Sequence, residues 1–435
     1  MVYNEFTILL LRLIKFQTVF TERKQKMKKI FSLLLCGIML LTPAFTACSD
    51  GATTDTTTAA STTVAPGGTD TEEPEFDPKD ATYDSITIGG VALADFKIVY
   101  APDAYEGAKA QYPNSFFMGE THFDKLIAEE LAEVLRKMTG VELPTVADTE
   151  SESANEILIG KTNRAQSKTN ATVANTEYSY RVAMQEGKLC VNGGSSGATY
   201  HALDALYASL YAQNSKTPAL AADYSDRGTA DLITVACVGD SITEGAGCSN
   251  ANYCSYPAVL QRILWKDYII NNYGHSGKTM REDLADAYIK SPRYTGMLRA
   301  AKSADITLIM LGTNDSNRDQ AWGADSSAKF EEGYRNLLNA IKAKNSKMTY
   351  FMMNCPVYSG GAQFGSRTVR DLQKKLTNTL IGEGWDLHFF DMYTYTKDVV
   401  TIQNFPDGLH PGDKGYVLLA DGVAQMLEDY RASLD

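Results

Sequence analysis

The chain has 435 residues, 44% of them hydrophobic and 22% charged, a globular composition with room for more than one domain. Its formal charge is -12, although the first 47 residues hold seven basic and only two acidic side chains, so the body beyond them is more acidic still. That balance, with no basic stripe interleaved with aromatics, excludes nucleic acid as a partner.

From Met27 the chain reads MKKIFSLLLCGIMLLTPAFTACSD: Lys28 and Lys29 give a charged region, residues 30–41 an apolar one, and small residues lead to Cys48. This resembles a bacterial lipoprotein signal, which implies cleavage before Cys48, lipid on its thiol, and a cell-surface protein that touches the membrane through that anchor alone. Phe45 stands where the lipobox usually has Leu, and secretory cleavage near Ala47 is the alternative; either way export is expected. The apolar run is too short for a spanning helix. Residues 1–25 are expected to precede the true start, because a processed signal begins close to its Lys pair. Residues 48–79 are Thr-rich with almost nothing to bury, and read as a disordered tether.

Residues 80–226 have their own pattern. Residues 96–100 read as a strand, and 123–139 set Leu126, Leu131, Val134 and Leu135 at helical spacing. Short strands follow at 156–160, 180–183 and 188–191, with a second helix at 198–212. The reading is a small α+β domain of hairpin-like strands in which no long parallel sheet fits. TGVELP, EILIGKTNR and GKLCVNGGSSGATYHALDAL resemble the N-terminal domain that precedes the barrel in glycoside hydrolases such as the family 20 hexosaminidases. GGSSG also satisfies G-x-S-x-G, the spacing of a nucleophile elbow, around Ser195. No oxyanion motif lies upstream, so the glycines are read as a strand-to-helix turn and Ser195 as structural.

Residues 227–435 alternate apolar strands (233–238, 268–273, 306–311, 349–354, 387–390) with helices (255–265, 281–301, 326–344, 367–383, 414–432). Near-continuously apolar strands with helical crossovers predict a parallel sheet covered on both faces, an α/β fold of flavodoxin-like three-layer α/β/α type. Catalytic groups gather at the carboxyl ends of such strands. Cys237 and Cys355 sit in apolar runs and read as buried thiols, while Cys248 and Cys254 share one loop and can bridge outside the cell. No Cys/His cluster has zinc spacing.

Polar, glycine-containing motifs follow the first three of these strands: ACVGDSITEGAG with Ser241, NNYGHSGKT with Gly277, and IMLGTNDSN with Asn314. FPDGLHPGDKGY supplies Asp407 and His410 before the last helix. A serine hydroxyl needs a base to take its proton, and the base needs a carboxylate to fix its tautomer and charge. The four blocks resemble the SGNH, or GDSL, hydrolases, whose naming residues match Ser241, Gly277, Asn314 and His410. The resemblance implies a Ser241–His410–Asp407 triad, with an oxyanion hole from the N–H groups of Ser241 and Gly277 and the amide of Asn314. It implies no cofactor and no metal.

Other polar residues have blander readings. Asp240 and Glu244 are expected to hydrogen-bond the loop around Ser241, and Asp391 is a rival partner for His410. His275 and Trp322 are candidate substrate contacts, Trp322 as an apolar face for a sugar ring; His122, His201 and His388 have no evident partner. GDSITEGAG, SYPAVL and NNYGHSGKTM look like the acetylxylan and sialate-type acetylesterases of the family, which implies a carbohydrate O-acetylesterase acting on an acetylated oligo- or polysaccharide. The alternatives are a lipase, lysophospholipase or thioesterase, and a non-catalytic glycan-binding lipoprotein.

Overall fold

The structure, a computed structural model, describes residues 76–102, 123–318, 322–356, 366–397 and 404–434. The signal, Cys48, most of the tether and His122 lie outside the described residues. Pro78–Ala432 make one compact unit in which two sheets dominate.

The first sheet has six strands in the order Thr145–Ala147, Lys97–Tyr100, Glu156–Ile159, Lys188–Gly193, Ser179–Gln185, Ser225–Thr229. The first four are mutually parallel and the last two are antiparallel additions, which corrects the expectation that no long parallel sheet fits here. Burial gives the reason. Glu156–Ile159 and Lys188–Gly193 are buried along their whole length, as in a sheet covered on both faces. Ile157, Ile159, Leu189 and Val191 pack with the helices Asp124–Thr139 and Ser196–Tyr211, while Val99, Leu158 and Cys190 form a smaller cluster. Ser225–Thr229 runs across the boundary expected between residues 226 and 227, and by pairing it belongs to this sheet.

Glu156 is fully buried in that sheet and meets Lys188 at 2.7 Å, Arg164 at 3.2 Å and Lys97 at 3.3 Å. Burial works to raise its carboxyl, but hydrogen bonds from Lys188, the Ser153 N–H and Arg164 outweigh it and bring it down to about 2. Glu156→Ala removes the counter-charge these cations share and is expected to cost roughly 3–5 kcal/mol of unfolding free energy. Because the folded value lies below the unfolded one, the contribution is present above about pH 4 and lost as pH falls toward 2. Urea unfolding of both proteins at pH 7 reads the loss directly; a deficit under about 1 kcal/mol contradicts the assignment.

The second sheet has five strands, all parallel, in the order Tyr268–Gly274, Ile233–Gly239, Ile306–Met310, Thr349–Met353, Leu387–Phe390. Tyr350 and Met352 face a core with Phe330, Tyr334 and Leu337 of the helix Ala324–Lys342, joined by Met297 of Pro292–Ala300 and Leu376 of Ser366–Gly382. Phe351, between them in the pleat, meets Tyr430 of the helix Asp413–Leu434 edge-on at 5.3 Å. Helices therefore cover both faces in a three-layer α/β/α sandwich. In chain order the strands run 2-1-3-4-5, so the crossovers diverge between the first and third strands, where such folds open a crevice at the carboxyl ends.

The helix expected over 281–301 is confined to Pro292–Ala300. Ser291 caps it by accepting from the Arg293 N–H, and Pro292 occupies the first helical turn. Upstream, the N–H groups of Met280 and Arg281 donate to the Asp315 carboxylate, and only a single 3-10 turn, Tyr288–Lys290, forms before Pro292. Among the described residues no helix is long and apolar enough to cross a membrane.

Candidate active site

Strand Ile233–Gly239 ends at Asp240, whose carboxylate accepts from the Ile242 N–H and starts the single helical turn Ser241–Glu244. Ser241 is thus the first helical residue, where its N–H has no intrahelical acceptor. Its Oγ lies 2.9 Å from Nε2 of His410, and His410 Nδ1 lies 2.7 Å from Oδ2 of Asp407. The other Asp407 oxygen accepts from the N–H groups of Leu409 and His410, so one side chain both shapes the loop and orients the ring. Burial works to raise the Asp407 carboxyl, but the hydrogen bonds from His410 and Leu409 bring it down to about 2. Asp391, the rival, instead accepts from Asn354 and from Thr394 and caps the helix Met392–Thr396.

Gly277 has φ +75°, a left-handed conformation that favours glycine. Its neighbours tie it to the serine turn: the N–H and hydroxyl of Ser276 both donate to Oε2 of Glu244. Asn314, in the helix Thr313–Arg318, donates from Nδ2 to the Lys278 carbonyl at 3.0 Å. An amide carries two N–H donors, so one fixes the side chain beside the 277–278 loop and the other is left for an incoming group. The arrangement can transfer a proton from Ser241 to His410 and can surround a developing oxyanion with donors.

His275 is half-buried, its ring 2.6 Å from the Ser291 hydroxyl and its N–H bonded to the Gly239 carbonyl, so it braces the loop. Trp322 donates to the Ser327 hydroxyl and packs edge-on to Phe330 at 5.8 Å, turned into the core cluster. His201 bridges Asp204 and Asp267, and His388 meets Asp386 and stacks on Phe351. Ser195 donates to the Glu177 carbonyl and accepts from the Ala198 N–H as the cap of Ser196–Tyr211.

Sequence reasoning did not find the role of Asp315. It reaches 35 residues back to Met280 and 34 back to Arg281, and its place directly after Asn314 was the available signal. Burial pushes the carboxyls of Asp315 and Asp240 up to about 6. A folded value raised above the unfolded ~3.9 means stability is full below about pH 4 and is lost as pH rises through 6. The stability advantage of the wild type over Asp315→Asn is therefore expected to shrink between about pH 4 and 7. Thermal unfolding of both proteins across that range tests this, and an advantage that grows with pH contradicts it.

Residues 237–418, which hold Ser241, Gly277, Asn314, Asp407 and His410, match the model of the GDSL-like Lipase/Acylhydrolase family. The chain carries a GDSL-like hydrolase domain. An acetylxylan esterase of Xylanibacter ruminicola is 26% identical to the chain over 220 residues, 46% of this chain and 44% of the relative, so the match spans less than half of that protein. Similar solved structures include a carbohydrate acetylesterase family member from Sinorhizobium meliloti (22% identity, 45% of this chain and 97% of that one, TM-score 0.36). A family two carbohydrate esterase from Clostridium thermocellum in complex with cellohexaose is another (20%, 48% and 70%, TM-score 0.36).

In the hydrolase domain Cys248 and Cys254 are free thiols, so the bridge open to them is not formed. Their sulfurs and an Asp413 carboxylate oxygen lie within 4.8 Å of one another, the one group among the described residues that could hold a metal ion. It includes none of Ser241, Asp407 and His410. Cys237 is fully buried and, like Cys355, has its thiol pushed up to about 12 by burial, which makes both poor nucleophiles.

Proposed function

We propose that the hydrolase domain is a serine esterase that removes acetyl or other short acyl groups from carbohydrate. The observation that carries the reading is the continuous line from Ser241 Oγ through His410 to Asp407, at 2.9 and 2.7 Å. Ser241 Oγ attacks the acetyl carbonyl while Nε2 of His410 takes its proton, and the Asp407 carboxylate stabilises the resulting imidazolium. The N–H groups of Ser241 and Gly277 and the free donor of Asn314 hold the oxyanion. The sugar alkoxide leaves with the proton from His410. A water, deprotonated by the same nitrogen, then releases acetate from the acyl-enzyme.

The short-acyl preference is supported by the polar character of the segments around the site, KTMREDLAD after Gly277 and the Asn314 turn, where an acyl chain would need an apolar trough. The carbohydrate reading is supported by the likeness to an acetylxylan esterase. Hydrolysis of 4-nitrophenyl esters is expected to fall steadily from acetate to octanoate, and better turnover of octanoate would favour the lipase reading. Acetate release across acetylated xylan, mannan, pectin, sialic acid and peptidoglycan then identifies the polymer.

The signal motif supports a further part of the proposal: the enzyme is exported and held at the cell surface by lipid on Cys48. Cys48→Ser is expected to abolish incorporation of labelled fatty acid, and incorporation that survives it would refute the anchor.

A further inference from the structure

The glycine turn Gly193–Gly197, which the chemistry at Ser241 leaves unused, forms one wall of a cleft of about 780 Å³. The opposite wall comes from the hydrolase domain and includes Asn252, Tyr253, Trp265 and Asn272. The walls are fixed to each other. Gly197 lies so close to the Trp265 and Lys266 carbonyls that a Cβ there would stand 2.9 Å from both. The Tyr178 and Thr234 hydroxyls meet at 2.6 Å, Lys266 pairs with Glu130 at 3.1 Å, and His201 spans to Asp267.

Glu244 lines the cleft and closes the helical turn begun by Ser241, while Ser241, Gly277, Asn314, Asp407 and His410 are not part of the lining. Three residues of helix separate the Cα atoms of Ser241 and Glu244 by on the order of 5 Å along the axis, about the length of one sugar ring. Glu244 also holds Ser276, next to Gly277. Glu244 thus joins the edge of the cleft to the serine turn and to the loop that carries Gly277.

The lining points to the class of ligand. Exposed Glu177, Asn252 and Arg293 bring a carboxylate, an amide and a guanidinium to the cleft, Tyr253 adds a half-buried ring, and Gly193 and Gly194 add backbone. Lys161, Arg262 and Arg293 balance Asp124, Glu177 and Glu244 in the lining, and apolar side chains such as Trp265 and Ile269 lie among them. Such a mixture suits a ligand rich in hydroxyls, which donate and accept alike. The volume falls within the ~300–1,000 Å³ range of small-molecule sites and leaves room for several sugar rings.

We propose that this cleft is a glycan subsite, holding sugar residues of the polymer on the Glu244 side of the ring presented to Ser241, with the GGSSG turn as one wall. The proposal rests on the carbohydrate-esterase reading for its role in catalysis, but binding in the cleft can be measured without turnover. The double variant Asn252→Ala, Arg293→Ala is expected to raise KM for acetylated xylan about tenfold or more, with kcat/KM for 4-nitrophenyl acetate within about twofold of wild type. In a Ser241→Ala background, calorimetry with unacetylated xylohexaose is expected to show binding that the double variant weakens by a similar factor. An unchanged polymer KM or unchanged xylohexaose binding overturns the subsite, as does a Ser241→Ala protein that binds no xylohexaose. Should wild type cleave the nitrophenyl ester and no acetylated polysaccharide while xylohexaose binding still depends on Asn252 and Arg293, the substrate reading fails and the subsite stands.

Discussion

Ser241→Ala is expected to lower kcat for ester hydrolysis by on the order of 10⁴–10⁶, whereas Ser195→Ala leaves the rate within about twofold. Both serines sit at the start of a helical turn after a parallel strand, and both belong to glycine-containing motifs. Their oxygens differ in what they touch. Ser241 Oγ faces the imidazole of His410 at 2.9 Å; Ser195 Oγ is spent on the Glu177 carbonyl at 2.6 Å and the Ala198 N–H at 3.1 Å. Losing the Ser195 cap should instead cost about 1 kcal/mol of stability. Steady-state kinetics on 4-nitrophenyl acetate with purified variants decides the matter. Full activity in Ser241→Ala, or collapse in a folded Ser195→Ala, would reverse the assignment.

Asp407→Asn is expected to reduce kcat by roughly 10³–10⁴ while leaving the fold intact. An asparagine oxygen can still accept from the N–H groups of Leu409 and His410, so the loop keeps its shape. The amide nitrogen would then stand where Oδ2 now faces Nδ1 of His410, and two donors cannot share a hydrogen bond. The ring must flip its tautomer and offer Ser241 a protonated Nε2, which cannot act as base. With its carboxyl held down to about 2, wild-type Asp407 remains ionised wherever an imidazole titrates. Circular dichroism paired with the rate measurement separates this from unfolding, and a loss under about tenfold would transfer the role to another group.

Much of the hydrolase domain was legible because its strands are short apolar runs and its motifs fall at their carboxyl ends. Strands 233–238 and 387–390, for example, differ from the observed Ile233–Gly239 and Leu387–Phe390 by at most one residue. The proximity of Ser241, His410 and Asp407 was legible only through the family likeness, because nothing local connects residues 169 apart. Three features were not legible. The parallel run in the first sheet depends on Thr145–Ala147, three residues with too little pattern to read, and on which strands pair rather than on where they lie. Residues 281–291 form only the short 3-10 turn Tyr288–Lys290, and the tie of Met280 and Arg281 to Asp315 is a contact between distant segments that local pattern does not show. The contact of Gly197 with Trp265 and Lys266 is tertiary, and G-x-S-x-G by itself carries no sign of it.

The bond between Ser241 and His410 also sets a clock. The chain is made from its N-terminus, so the serine turn and its first two flanking strands are complete long before the loop that carries the histidine has been synthesised. At about 5–20 residues per second, the intervening stretch takes roughly ten to thirty seconds to emerge. During that interval the first sheet and the nucleophile turn can form, yet no base stands beside Ser241. Tyr416, in the terminal helix, donates to the Ala246 carbonyl, and Asp413 accepts from Ser249, so docking of that helix draws the histidine loop in. A chain that ends before Asp407 therefore carries Ser241 without its histidine partner, and the contacts of the helix Asp413–Leu434 are what seat the histidine loop against the serine turn.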